Sequence, residues 1–270
     1  MGEGIVLLHG FGATRRAWDA VRAQLRRERY LPLALDLPGH GLQSGSERPI
    51  SFTGCVEDVL AQAPERFVLC GYSMGGRVAL HVALAAPRRV QRLVLVSTTA
   101  GIEDPAERAR RRESDRRLAE QLQSGSYESF IERWRAQPLF ADEPPEVGAL
   151  AREDQRRNRP GALAGVLRGI GTGEMDPLWA RLRELTMPAT VLVGERDERF
   201  RALGRRMAAA LPRAELRVLP GGHNLPLESP VAVAQALTLT LQGLDTEPGG
   251  ARQGDPAPDG GQRIGQVLEH

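Results

Sequence analysis

The segment at residues 71–75, which reads Gly-Tyr-Ser-Met-Gly, constrains the fold of this chain more than any other feature. Apolar residues 67–70 precede it, and residues 78–84 after it have the composition of a helix. A strand that turns sharply into a helix holds the central residue of such a motif in a strained conformation, so only small residues fit two positions away. We therefore predict a strand, a tight turn and a helix, with the Ser73 hydroxyl exposed at the turn.

Short apolar runs alternate with helix-like segments on both sides of this motif. The predicted strands are residues 5–8, 31–36, 67–70, 90–96, 189–193 and 215–219. The predicted helices between them include residues 17–27, 51–63, 201–211 and 231–241. This alternation is typical of α/β proteins, so we predict a mostly parallel sheet with helices on both faces.

The alternation stops in the middle of the chain. Charged, helix-like segments follow one another there without a strand, at residues 105–123, 127–135, 145–157, 162–169 and 178–185. We therefore divide the chain into an α/β core (1–100 and 187–244) and an inserted helical cap (101–186) over the carboxyl edge of the sheet. Residues 245–270 are rich in Gly, Pro, Asp and Gln, which predicts a disordered tail that ends in a remnant of an expression tag.

Composition narrows the partners that this protein can have. The formal net charge is only +2, so we expect no nucleic-acid binding. No apolar run is long enough to cross a membrane, and we expect a cytoplasmic protein, monomeric or homo-oligomeric. The cysteines, Cys55 and Cys70, have no metal-ligand spacing and are expected to be reduced. All 36 basic residues apart from histidine are arginine; coding bias explains most of them, and carboxylate-binding sites offer a second reason.

A serine hydroxyl needs a neighbouring base before it can react, and that base is usually oriented by an acid. Two loops of this chain can supply the acid and the base. Asp197 follows the strand at 189–193, and His223 follows the strand at 215–219. Open α/β sheets carry their sites at the carboxyl ends of the strands, and this kind of turn is served by partners in the order Ser, acid, His. We therefore predict a catalytic triad of Ser73, Asp197 and His223.

Other titratable residues compete for these roles. Glu195 is the alternative acid, because it lies in the same loop as Asp197. Asp36 precedes the serine and is expected to organise a loop, as is His40 among its glycines, whereas His81 is expected to pack on the helix after the turn. His9 is expected to shape the loop at residues 9–12 rather than to transfer protons.

An oxyanion hole requires two backbone amides that converge on one oxygen atom. The amide of Met74 directly follows the serine and is the first candidate. The second is expected from the loop at residues 9–12, at Phe11, because Gly10 and Gly12 on either side allow the backbone to approach a ligand closely.

Together these motifs resemble the α/β-hydrolase fold superfamily over residues 4–243. A finer similarity is to the family of 2-succinyl-6-hydroxy-2,4-cyclohexadiene-1-carboxylate synthases, which are lyases of menaquinone biosynthesis. The similarity lies in residues 36–41, 71–79, 108–116, 134–140, 156–158, 171–173 and 194–200. The segments in the predicted cap are the more specific ones, because other hydrolases share the serine motif and the acid loop.

The resemblance implies a cofactor-free elimination of pyruvate from a small polycarboxylate substrate. Ser73, with help from His223, would act as the base, and the amides of Phe11 and Met74 would hold charge on a substrate oxygen. Arg77 lies four residues after Ser73 on the same predicted helix, which places it near the pocket independently of the resemblance.

The family also implies four further substrate-binding residues, Arg111, Arg156, Tyr72 and Trp134. For Arg111 an alternative is a position on a solvated helix face, because five other arginines lie close to it in the sequence.

Two other functions stay open at this point. The chain could be a serine hydrolase of a small anionic ester or a C–C bond, or a ligand-binding module, which the complete triad disfavours.

Overall fold

The computed structural model describes residues 3–25, 30–45 and 48–242, so the predicted tail at 245–270 lies outside it. Within these residues six strands form a single sheet in the order β2-β1-β3-β4-β5-β6, and every neighbouring pair is parallel. The strands are β1 (Glu3–Leu8), β2 (Tyr30–Leu35), β3 (Phe67–Tyr72), β4 (Val90–Val96), β5 (Ala189–Gly194) and β6 (Ala214–Leu219). Each lies where the sequence predicts a strand, with ends that differ by at most two residues.

Ten α-helices accompany the sheet in the described part of the chain. In chain order they are α1 (Asp19–Gln24), α2 (Phe52–Gln62), α3 (Met74–Ala85), α4 (Pro105–Ser124), α5 (Tyr127–Arg135), α6 (Pro145–Gln155), α7 (Pro160–Ile170), α8 (Glu198–Ala210), α9 (Leu225–Glu228) and α10 (Pro230–Gln242). None of these helices has both the length and the apolar content that a bilayer crossing requires.

Both faces of the sheet are buried, which explains the continuous apolar runs in the sequence. Successive strand residues point to opposite faces, so Val6 and Leu8 of β1 join one apolar core whereas Ile5 and Leu7 join the other. Helices α2, α3 and α8 cover the first face, and α1 and α10 cover the second. The predicted α/β architecture with a parallel sheet is therefore confirmed.

Helices α4 to α7, referred to below as the helical insertion, lie between β4 and β5. They have a small apolar core of their own, in which Leu122 of α4, Phe130 of α5 and Leu167 of α7 are buried. The local structure differs from the prediction in two places. The segment expected to be a regular helix at 178–185 contains the 3-10 helix Trp179–Glu184, and α9 was not predicted.

The turn between β3 and α3 has the strained geometry that the sequence predicts. Ser73 has φ 52° and ψ −110°, which is unusual for a residue with a side chain. A Cβ atom on Gly71 would lie 2.3 Å from the Gly75 carbonyl oxygen, and one on Gly75 would lie 2.3 Å from the Leu8 carbonyl oxygen. Backbone atoms occupy both spaces, so glycine is required on either side of the serine.

We expect the substitution Gly75→Ala to lower the free energy of unfolding by at least about 2 kcal/mol, since β1 and α3 must move apart to admit a methyl group. The matched control is Gly161→Ala, in the first turn of α7, where a Cβ atom meets nothing within 4 Å. That change should raise stability by about 0.5–1 kcal/mol. Urea denaturation measures the free energy of unfolding of both variants. Equal changes in the two variants would contradict this explanation of the turn.

Candidate active site

The three residues of the predicted triad lie in contact at the carboxyl edge of the sheet. Ser73 Oγ is 3.3 Å from His223 Nε2, and His223 Nδ1 is 2.7 Å from Asp197 Oδ2. Ser73 follows β3, Asp197 lies between β5 and α8, and His223 follows β6. Parallel strands bring all three loops to one edge, and the order Ser, Asp, His along the chain is the one that the sequence predicts.

Two further contacts fix the orientation of the imidazole. The second oxygen of the Asp197 carboxylate accepts a hydrogen bond from the Phe200 backbone N–H at 3.2 Å, at the start of α8. The Phe200 ring packs against the His223 ring with centroids 4.4 Å apart. The alternative acid, Glu195, is exposed and faces Arg196 at 3.9 Å. The structure thus brings Asp197, and not Glu195, to the histidine.

The two amides expected to form an oxyanion hole belong to residues that border the same cavity as Ser73. Met74 is the first residue of α3, so its N–H has no helical carbonyl four positions before it to bond with. Phe11 lies in the turn after β1, and its ring packs against Trp134 at 4.9 Å. This placement is compatible with the predicted role of both amides.

Two buried histidines hold the loops around Phe11. His9 donates from Nδ1 to the Gly10 carbonyl at 2.8 Å and accepts the Leu37 N–H at Nε2 at 3.0 Å. His40 Nε2 accepts the Gly12 N–H at 3.2 Å. Because each Nε2 is an acceptor, each ring is neutral, and burial lowers the pKa of both imidazoles. Both residues organise loops, as the sequence predicts.

Asp36 and His81, which the sequence assigned to structural roles, lie outside the triad. The Asp36 carboxylate accepts hydrogen bonds from the N–H groups of Arg15 at 2.7 Å and Leu42 at 3.1 Å. The His81 ring stacks on Phe52 with centroids 4.1 Å apart. These contacts bind loops and helices together and leave neither residue within hydrogen-bond distance of Ser73.

A cavity of about 1140 Å³ opens above the serine. Ser73, Met74 and His223 border it on the side of the sheet, and Arg111 and Trp134 border it from the helical insertion. The cavity therefore lies between the core and the insertion, and a ligand in it would contact both. Its volume is ample for a small organic substrate.

Arg77 is a buried cation in the wall of this cavity. Its side chain is only 7% exposed, and its Nη1 donates to the Ile170 carbonyl at 2.6 Å. Among the residues that the structure describes, its guanidinium forms no ion pair with a carboxylate. Burial, together with the nearby charge of Arg111, lowers the pKa of Arg77 to about 10. An anion that entered the cavity would compensate this charge.

The other predicted substrate-binding residues take different positions. Arg111 borders the cavity, and its Nε also donates to the buried Asp115 carboxylate at 2.8 Å. Trp134 borders the cavity as well. Tyr72 does not: its ring lies behind the serine, 5.5 Å from the His223 ring, in a separate space of about 30 Å³. Burial raises the pKa of the Tyr72 hydroxyl, which therefore stays protonated.

The structure does not bring Arg156 to the site. Its guanidinium lies on the exterior and forms two hydrogen bonds with the Glu128 carboxylate of α5. Arg156 directly follows the last residue of α6 and is exposed to solvent, whereas its neighbours Asp154 and Asn158 are buried. A motif in the sequence identifies the segment, but the helix determines which of its residues point inward.

Glu228 has a buried side chain beside the triad, and its role was not predicted from the sequence. Its carboxylate accepts hydrogen bonds from the backbone N–H groups on both sides of His223, those of Gly222 at 2.8 Å and Asn224 at 3.0 Å. It also pairs with Arg196, the neighbour of the triad acid, at 2.5 Å. A glutamate in an apolar segment five residues after the histidine was the available signal.

Comparisons with known proteins agree with this fold. Residues 5–236 match the model of the alpha/beta hydrolase family. A 2-succinyl-6-hydroxy-2,4-cyclohexadiene-1-carboxylate synthase from Enterobacter sp. (strain 638) is 32% identical over 88% of this chain and 91% of its own length. The structure of MenH from S. aureus superimposes with a TM-score of 0.84 at 30% identity, over 90% of this chain and 94% of that one.

A thermophilic esterase from Thermogutta terrifontis, solved with malate bound, superimposes with a TM-score of 0.79 at 27% identity, over 91% of this chain and 92% of its own. Likeness to this structure alone would leave the subgroup open. The match to the family model and the identity to the synthase are more specific. The chain belongs to the alpha/beta hydrolase family and, within it, to the family of the 2-succinyl-6-hydroxy-2,4-cyclohexadiene-1-carboxylate synthases.

Proposed function

We propose that this protein is a lyase of menaquinone biosynthesis. It eliminates pyruvate from 2-succinyl-5-enolpyruvyl-6-hydroxy-3-cyclohexene-1-carboxylate to give 2-succinyl-6-hydroxy-2,4-cyclohexadiene-1-carboxylate. The observation that carries the proposal is the buried Arg77 guanidinium, which pairs with no carboxylate of the residues that the structure describes and shares a cavity with Ser73 and His223. A site of this kind suits a substrate with several carboxylates, and the names of the relatives support the choice of this substrate.

In this reaction Ser73 acts as a base rather than as a nucleophile. His223 Nε2 takes the proton of Ser73 Oγ, and the resulting alkoxide removes a proton from a ring carbon of the substrate. The electron pair of the broken C–H bond forms a new ring double bond, the ring double bond already present shifts by one position, and the C–O bond to the enolpyruvyl group breaks. Pyruvate leaves as its enolate and is then protonated. Asp197 stabilises the imidazolium while it exists.

Charge that develops on a substrate oxygen during proton removal needs fixed donors. The amides of Phe11 and Met74 are proposed to supply them, aided by the positive end of α3. Such donors require no reorganisation at the moment of reaction, which is why preorganised amides are effective.

Arg77 and Arg111 are proposed to bind the carboxylates of the substrate. A guanidinium binds a carboxylate through two parallel hydrogen bonds, and this interaction is stronger where water is excluded. Arg77 meets that condition because it is buried. Arg111 is about one-third exposed and shares its charge with Asp115, so we assign it the smaller contribution.

A serine hydrolase of small anionic esters or C–C bonds is the second candidate, favoured by the similarity to an esterase solved with malate bound. The same triad would serve it, with Ser73 Oγ attacking a carbonyl carbon and water releasing the acyl group. The two functions differ in substrate.

A comparison of substrates tests the proposal. The purified protein is incubated with the enolpyruvyl compound, and pyruvate is followed through lactate dehydrogenase; parallel incubations use 4-nitrophenyl acetate and malate esters. We expect rapid pyruvate release and ester hydrolysis at least about 10³-fold lower in kcat/KM, since esters do not use the elimination geometry. Rapid ester turnover without pyruvate would establish the hydrolase instead.

A further inference from the structure

The end of α6 contacts the turn that carries Phe11, here called the phenylalanine loop (residues 9–14), through buried hydrogen bonds. The Asp154 carboxylate accepts the Thr14 N–H at 2.7 Å and the Thr14 hydroxyl at 2.5 Å. Both side chains are at least 90% buried. Arg157 Nε lies 3.8 Å from the same carboxylate, but loss of either Thr14 donor would leave one buried carboxylate oxygen without its hydrogen bond.

Asn158 makes the second connection, four residues further along. Its Nδ2 donates to the Gly12 carbonyl at 2.6 Å, and its Oδ1 accepts the Gly41 N–H at 2.8 Å. One side chain of the segment after α6 thereby joins the phenylalanine loop to the loop after β2. The Gly12 N–H is occupied by His40, so both polar groups of the Gly12 backbone are held from outside the loop.

The phenylalanine loop depends on these contacts because it has little internal support. Its backbone contributes one turn bond, from the Ala13 N–H to the Gly10 carbonyl at 3.2 Å. Gly12 has φ +75°, and a glycine there can rotate at little cost. The peptide groups around Phe11 would therefore change direction easily if the contacts from Asp154 and Asn158 were lost.

We propose that Asp154 and Asn158 are positioning residues, through which the helical insertion sets the direction of the Phe11 amide and hence the reactivity of Ser73. This inference rests on the role proposed above for Phe11 in the oxyanion hole. It also identifies the functional residues near the end of α6 as the two that point inward, rather than Arg156. Asn158 acts through its donor group, since the Gly12 carbonyl offers only an acceptor.

Substitutions of equal size separate positioning from packing. Asn158→Asp keeps the shape but places an acceptor against the Gly12 carbonyl, so we expect kcat to fall by about 10²-fold with KM changed less than about twofold. Asp154→Asn keeps an acceptor for the Thr14 N–H, and we expect at least about one-third of the wild-type kcat, whereas Asp154→Ala should lose about tenfold. Glu153→Ala, on the exposed face of the same turn, is the control and should match the wild type.

A second readout does not depend on the natural substrate. A fluorophosphonate forms a P–O bond to Ser73 Oγ and loses fluoride, and the rate of labelling is followed by intact-protein mass spectrometry. We expect the labelling rate of Asn158→Asp to be about one-tenth of the wild-type rate or lower. The reason is that the charge developing on the phosphoryl oxygen is stabilised by the same two amides. If the wild-type protein released no pyruvate but the two proteins still differed in labelling rate, the proposed lyase function would be wrong and the positioning role would stand.

Melting temperatures of all variants are measured alongside. If Asn158→Asp does not fold, Asn158→Ala, which removes the donor without adding charge, takes its place with the same expected direction. Labelling and kcat at wild-type levels in a folded Asn158 variant would overturn the proposal. Equal losses in Asp154→Asn and Asp154→Ala would overturn it for Asp154.

Discussion

Replacing Ser73 with alanine is expected to lower kcat for pyruvate release by about 10³-fold or more, because the base that removes the substrate proton is lost. His223→Ala should cost a similar factor, since the Ser73 hydroxyl, 3.3 Å from that ring, then keeps its proton. The double variant should be hardly worse than either single one, because the two residues act as a unit. Steady-state kinetics of the three proteins provides the measurement.

Substrate binding should survive in these variants, as the cationic wall of the cavity is unchanged. Titration calorimetry with substrate, which Ser73→Ala should convert only slowly, is therefore expected to give a Kd within a few-fold of the wild-type KM. Ser129→Ala, at an exposed position of α5, is the control for handling and folding. A Ser73→Ala protein with more than one-tenth of the wild-type kcat would remove the serine from the chemistry.

Arg77→Ala is expected to lower kcat/KM by about 10- to 10²-fold, the factor that corresponds to loss of a charge-assisted hydrogen bond of about 1.5–3 kcal/mol. Arg77→Lys should recover only part of the loss, because an ammonium cannot bind a carboxylate through two parallel bonds. The matched control is Arg156→Ala, which removes an exposed arginine paired with Glu128 and should change kcat/KM less than about twofold.

Arg77 also donates to the Ile170 carbonyl, so its loss could disturb the contact between α3 and α7. Melting temperatures and fluorophosphonate labelling of Ser73 separate this effect from substrate binding, because the small probe needs no carboxylate site. If kcat/KM is unchanged in a folded Arg77→Ala protein, the charge does not serve the substrate. If Arg156→Ala shows the larger loss, the sequence resemblance locates the binding cations better than the structure does.

Much of the fold could be predicted because the physical constraints are local. Strands buried on both faces are largely apolar, so β3, the second half of β4 (93–96) and β5 (191–193) are visible as short apolar runs. The turn at Ser73 is visible because backbone atoms exclude any side chain at Gly71 and Gly75. Contact between Ser73, Asp197 and His223 follows from parallel strands that end at one edge.

The helical insertion is where the sequence was least informative. Helix α4 carries charges on several faces and shows hardly any separation of apolar from polar positions, so periodicity does not reveal which of its residues point inward. Arg156 and Asn158 lie two positions apart, yet one pairs with Glu128 in solvent and the other is buried against Gly12. Glu228 was not predicted for a related reason: two of its partners are backbone amides, which every sequence has, and the third, Arg196, is distant in the chain.

The most direct test of the central claim, that Ser73 removes a proton and does not form an ester, is a rapid-quench experiment on the wild-type protein. Enzyme and the enolpyruvyl substrate are mixed at comparable concentrations and quenched in acid at intervals within the first turnovers. Pyruvate and the intact protein mass are then measured in the same samples. We predict that pyruvate accumulates while the protein mass stays that of the free chain. A covalent adduct that maps to Ser73 and rises and decays with turnover would contradict this account.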